Sequence, residues 1–283
     1  AIDGIAFHIT CPIEEYSLAA ARVTPGSGVE LSHSGPRPKA ERAARMAYED
    51  AADDGGTPGP CRIRLVLRSR LPVGKGMASS TADISSCAGA VMAALGRPVV
   101  PETIARLALR IEPTDGCMFP GIVAFDHRQG KLLESLGPAP PLDVIVYDTG
   151  TTVDTIAFNM NYRSDVLSRR EHDIRQAYEQ AKDALRRRDA GALGEAAVLS
   201  ARVNQEILYK PELEYMISLA KKIGAVGVNV AHSGGVIGLL FDRRKCDCRD
   251  LLAYLRKRPW PGTWLGAYRL TDGGLIVRVK GQP

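Results

Sequence analysis

The sequence predicts an α+β fold, because strand-like and helix-like segments mix along the chain without a regular βαβ alternation. Two segments carry that reading. Cys61, Ile63, Leu65 and Leu67 alternate with Arg62, Arg64 and Arg68, the period of two of a strand with one buried face. Ile84, Ala88, Val91, Met92 and Leu95 recur at i, i+4, i+7, i+8 and i+11, one face of a helix that Gly96 then stops.

The other elements follow in order. Residues 5–10 read as a strand and 24–28 as a Gly/Pro/Ser-rich turn. Residues 39–53 are rich in Ala, Glu and Arg and read as a helix, and 53–60 read as a loop. Ile104, Leu107, Ala108 and Ile111 mark a short amphipathic helix, and 142–148 a strand. A charged helical region runs over 164–189 and another over 192–208. Pro211 opens a third, with Leu213, Met216, Ile217 and Ala220 on one face. Two apolar strands, 225–231 and 236–241, flank His232-Ser233-Gly234-Gly235, and a helix near 249–257 and a strand at 275–279 close the chain. The reading divides the chain into 1–150 and 151–283, and the 283 residues suffice for two domains.

Apolar residues make up 45% and charged residues 24%, a balance that permits a large buried core. No apolar run reaches the about 20 residues a bilayer crossing needs, and no secretory signal is visible. The net charge of +5 is spread over separate clusters (186–188, 221–222, 243–245, 256–258) without interleaved aromatics. That pattern fits solvated helix faces rather than a nucleic-acid stripe, and a mild positive field suits an anionic nucleotide. Six scattered cysteines predict reduced thiols in a cytoplasmic protein. Cys246-Asp247-Cys248 matches no common zinc spacing. Oligomeric state leaves no mark on the sequence.

The chemistry concentrates in Pro72-Val73-Gly74-Lys75-Gly76-Met77-Ala78-Ser79-Ser80-Thr81, between a predicted strand and a predicted helix. Gly74 and Gly76 let the backbone bend and approach a ligand. Ser79, Ser80 and Thr81 stand where helix N–H groups are unpaired and the dipole favours anions. Their hydroxyls suit phosphate oxygens or Mg²⁺. The loop is neither a Walker A sequence nor a dinucleotide fingerprint. On local chemistry alone, a phosphate site and a serine-capped turn stand level.

Pro72 to Ala82 resembles the second motif of the GHMP kinases (galactokinase, homoserine kinase, mevalonate kinase and relatives), and 231–236 resembles their third, a glycine-rich turn between C-terminal strands. The runs 10–13, 75–83, 112–116, 153–155, 204–205 and 231–234 are similar to the L-threonine kinases of cobalamin biosynthesis, a branch of that family. The resemblance implies a two-part fold, with an N-terminal α/β nucleotide-binding layer and a ferredoxin-like α+β C-terminal domain. It implies ATP-dependent formation of O-phospho-L-threonine, with ATP and Mg²⁺ as cofactors. The family's first motif lies upstream of the strand at Ile5, so a segment before Ala1 is expected.

Asp115 is the implied catalytic carboxylate, which accepts or orients the alcohol proton; read alone it is a turn aspartate. Glu112 with Ser80 forms a candidate Mg²⁺ pair, against a helix-end glutamate. Lys75 either neutralises phosphate charge or reaches solvent. His232 and Ser233 are candidate substrate contacts, with Gly234 and Gly235 admitting the ligand by their backbone. Asp154 is a candidate acceptor for the substrate ammonium, with Thr155 beside it. Two rival readings stay open: the same fold acting on homoserine or a related alcohol, and a silent nucleotide-binding sensor.

Overall fold

A computed structural model describes residues 1–33, 35–53, 61–151 and 164–279. Asp154 and Thr155 lie outside the described residues.

Three sheets organise the described residues. The first joins β2 (Ser17–Pro25), β4 (Cys61–Ser69) and β3 (Gly28–His33), with β4 central, antiparallel to β2 and parallel to β3. Its alternation is the predicted one: Ile63, Leu65 and Leu67 are buried and the intervening arginines are exposed. The second joins β1 (His8–Ile9), β5 (Ile122–Asp126) and β6 (Lys131–Gly137). The third is antiparallel, in the order β10 (Thr263–Arg269), β7 (Leu142–Asp148), β9 (Val236–Asp242), β8 (Gly227–Val230). Among the described residues, β7 therefore pairs only with strands from the C-terminal half.

Helices cover these sheets. α1 (Pro38–Asp53) and α3 (Pro101–Leu109) pack on α2 (Ser79–Ala94), which lies against β2 and β4. α2 is buried on more than one face, as a helix enclosed on several sides is: Ile84, Cys87, Ala88 and Val91 have no exposure, and Ser85, Ser86 and Gly89 are buried on the other side. The predicted 164–189 region divides into α4 (Ser164–Arg169) and α5 (Glu171–Arg187), because Arg170 leaves helical geometry at ψ 10°. α6 (Ala190–Asn204), α7 (Leu213–Lys222) and α8 (Cys248–Arg256) follow. Asp189 caps α6 by accepting from the Ala192 N–H, and Asp247 caps α8 by accepting from the Arg249 N–H.

Two terminal expectations are corrected. The strand over 5–10 shrinks to His8–Ile9, since residues 2–5 form a turn with Gly4 at φ 76°. Residues 275–279 form no strand: Leu275 inserts beside Gly89, while Ile276, Val277 and Val279 face solvent without a strand partner.

One close approach fixes the C-terminal half. α6 crosses β8 where Gly194 meets Gly227, and a Cβ on Gly194 would lie 1.9 Å from the Val226 carbonyl oxygen. Gly194→Ala is expected to cost about 1–3 kcal/mol of stability by forcing helix and strand apart. Urea unfolding checks this, and an unchanged midpoint contradicts the packing described.

Candidate active site

The phosphate-loop candidate leaves β4 and turns through Gly74 and Gly76, at φ 72° and 85°. Ala78 precedes α2 in the left-handed region, at φ 52°, and makes no side-chain cap. The first α2 N–H bonded to a preceding carbonyl is that of Ala82, which donates to Ala78. The N–H groups of Ser79, Ser80 and Thr81 thus stand at an uncapped positive helix end. Left-handed geometry at a non-glycine is strain held by its surroundings.

Those surroundings come from the other half of the chain. A Cβ on Gly76 would lie 2.5 Å from Ala231 Cβ and 2.8 Å from Gly234 Cα. A Cβ on Gly234 would lie 2.4 Å from both Gly76 Cα and the Lys75 carbonyl oxygen. Two glycine-rich loops from opposite ends of the sequence therefore touch backbone to backbone. Gly235 packs equally close to the carbonyl oxygen of Thr151. Lys75 turns away along this seam, its Nζ 2.8 Å from Asp148 Oδ2 at the end of β7.

A cavity of about 510 Å³ opens on the other side of the loop. Val73, Gly74, Gly76 and residues 78–81 line it, together with Glu112, Asp115, His232 and Ser233. Pro72, Lys75, Met77, Gly234 and Gly235 lie outside this wall; Met77 faces a second cavity of about 480 Å³ between the two halves. Asp115, His8, Gly76, Ala78 and His232 line both cavities. Asp115 therefore stands where a ligand in one cavity meets a ligand in the other.

Glu112 is almost fully buried and is held from two sides. The Ser80 hydroxyl donates to its Oε1, and Lys39 Nζ stands 2.5 Å from its Oε2. Hydroxyl and carboxylate oxygens are the hard donors Mg²⁺ takes, so this pair fits that ion. Lys39 and Arg37 bring positive charge to the cavity wall, and Arg37 also pairs with buried Asp83 at 3.3 Å. Thr81 is the brace beneath the catalytic candidate: its hydroxyl accepts from the Asp115 N–H at 3.2 Å and from the Thr114 hydroxyl at 3.0 Å. The Asp115 carboxylate is 41% exposed and lies 3.6 Å from His8 Nδ1.

His8 stacks on His127, with His232 tilted against both. Burial, with repulsion from its neighbours, holds His127 down to about 2 and His232 well below the usual imidazole range. Behind the glycine turn, Lys210 is buried and donates to the Ala231 carbonyl at 3.2 Å; burial lowers its ammonium to about 8.

Lys39, His8, His127, Thr81 as a brace, and Lys210 escaped the reading of the sequence. Each acts through a partner far along the chain, and no local period marks it.

Fold and site together define a small-molecule kinase. The model of the GHMP kinases N terminal domain matches residues 39–120, and that of the GHMP kinases C terminal matches 181–245. The chain belongs to the GHMP kinases. It is 33% identical over 274 residues to an L-threonine kinase of Salmonella typhimurium, covering 95% of this chain and 88% of that one. An L-threonine kinase of Citrobacter freundii is 32% identical, covering 95% and 92%. Among solved structures, a mevalonate kinase of L. major in complex with R-mevalonate superposes with a TM-score of 0.68 at 16% identity, covering 96% and 91%. A homoserine kinase of Cytophaga hutchinsonii gives 0.67 at 14% identity, covering 90% and 86%. These two likenesses concern the fold.

The depressed imidazoles make stability depend on pH. Unfolding lets His127 take up a proton at its ordinary value near 6.5, while the folded chain refuses it down to about 2. Their contribution is thus present above pH 6.5 and lost as the pH falls below it. Each such histidine costs up to about 1.4 kcal/mol per pH unit. Urea unfolding between pH 7 and 5 is expected to show the slope, and His127→Gln to flatten it. A slope unchanged in the variant contradicts the assignment.

Proposed function

We propose that this kinase transfers the γ-phosphoryl group of ATP to the hydroxyl of L-threonine, giving O-phospho-L-threonine for cobalamin synthesis. The observation that carries the substrate is the 33% identity, over 95% of the chain, to a relative named L-threonine kinase. The chemistry rests on the shared cavity wall of the glycine loop, the Ser80–Glu112 pair and Asp115.

In this reading the triphosphate lies along Gly74 to Ser80, against the uncapped start of α2. Arg37 and Lys39 offset its charge. Ser80 and Glu112 would hold Mg²⁺, which when bound offsets charge on the phosphates. The threonine hydroxyl faces Asp115 at the junction of the two cavities. Its proton passes to the Asp115 carboxylate as the Oγ–P bond forms and the P–O bond to ADP breaks. Thr81 fixes the Asp115 backbone, and His8 limits where the carboxylate turns. Positioning and electrostatics supply most of the rate.

ADP release measured with threonine, serine and homoserine tests the substrate; turnover restricted to homoserine overturns threonine as the acceptor. Asp115→Asn is expected to lower kcat by roughly 10²–10⁴-fold while nucleotide binding persists. An unchanged kcat removes Asp115 from the proton path. Lys39→Met is expected to raise the KM for ATP, with a smaller change in kcat. Steady-state titration of ATP at saturating threonine reads that split.

A further inference from the structure

Three histidines from three separate segments meet beside Asp115. His8 comes from β1, His127 follows β5, and His232 opens the glycine turn between β8 and β9. One ring nitrogen from each lies within 4.8 Å of the other two. Three points so spaced fall within about 2.8 Å of a common centre, against about 2.0–2.1 Å for a zinc–imidazole bond. A shift of under about 1 Å per ring closes the gap.

Two of the three histidines carry buried nitrogens that the described protein leaves unpaired. His8 Nε2 and both ring nitrogens of His127 are shielded from solvent and have no hydrogen-bond partner among the described residues. His127 as a whole is 3% exposed. Buried polar nitrogens left unpaired are costly, so a group that pairs them is favoured.

We propose that His8, His127 and His232 form a binding site for one borderline divalent transition-metal ion, of the zinc or cobalt class. The site is separate from Ser80 and Glu112, which offer hard oxygen donors where the cluster offers imidazole. The His8 and His127 rings now lie parallel, with centroids 4.1 Å apart and planes at 5°. A metal sits in the plane of each ring that ligates it, so one of the two rotates about its Cβ–Cγ bond on binding. That torsion has broad wells in histidine. The bound ion would tie the glycine turn of the C-terminal half to β1 and β5. It would also fix the ring that faces Asp115.

The test uses the full chain, stripped with EDTA and titrated with Co²⁺ alone. Absorption spectra read the ligand type, and equilibrium dialysis with Zn²⁺ reads the stoichiometry. One equivalent is expected to bind, with visible ligand-field bands and no thiolate charge-transfer band. His127→Gln and His8→Gln are each expected to weaken binding more than about tenfold, while His172→Gln, on α5, leaves it unchanged. Circular dichroism confirms that each variant is folded as the wild type is. Absence of saturable binding, a thiolate band, or cluster variants that bind as tightly as the wild type overturn the proposal. These readouts do not depend on threonine being the substrate.

Discussion

The backbone contact between Gly76 and Gly234 is the constraint on which the site depends. It joins a loop that leaves β4 to a turn between β8 and β9, far apart in sequence. No side chain fits between them, so glycine is required on both sides of the seam. The approach sets the entry of α2 and keeps its first N–H groups turned toward the cavity. It also brings His232 against His8 and so beside Asp115. Lys75 reinforces the seam by pairing with Asp148, on the strand that anchors the C-terminal sheet. A helix end aimed at an anion and a carboxylate aimed at a hydroxyl are thus held in register by one steric fact.

Charge in this site is buried in compensated groups. Glu112 answers to Lys39 and Ser80, and Asp83 to Arg37 and the Ser17 hydroxyl at 2.6 Å. Removing one member of such a group leaves its partner desolvated, which costs more than the pair itself gains. Asp115 differs: its carboxylate is partly exposed, with the His8 ring 3.6 Å away. The groups that hold phosphate and metal are fixed by burial, while the group that meets the alcohol stays accessible to it.

The legible parts of the sequence were those with a local period or a local punctuation. Cys61 to Arg68 and Ile84 to Leu95 announced β4 and α2, and the apolar run 142–148 gave β7 with its observed ends. β2 and β3 carry small and polar residues on a half-exposed sheet, and β5 is a short run buried at every position. Neither pattern separates a strand from a loop or a buried helix turn. Residues 275–279, apolar but for Arg278, look like a strand because composition does not reveal whether a partner edge exists. In the site, the nearness of Ser80 and Glu112 followed from matching two motifs to one family. Lys39 is 73 positions from Glu112, and His8 and His127 meet only because β1 pairs with β5. Such tertiary neighbours leave no trace in local spacing.

The account stands most directly on the identity of the product. Phosphorus NMR of the wild-type chain with Mg²⁺, ATP and L-threonine follows every phosphorus atom at once. The account predicts a new phosphomonoester resonance coupled to the threonine β-proton, growing in step with ADP. ADP accompanied only by inorganic phosphate, or ATP left intact, would contradict it.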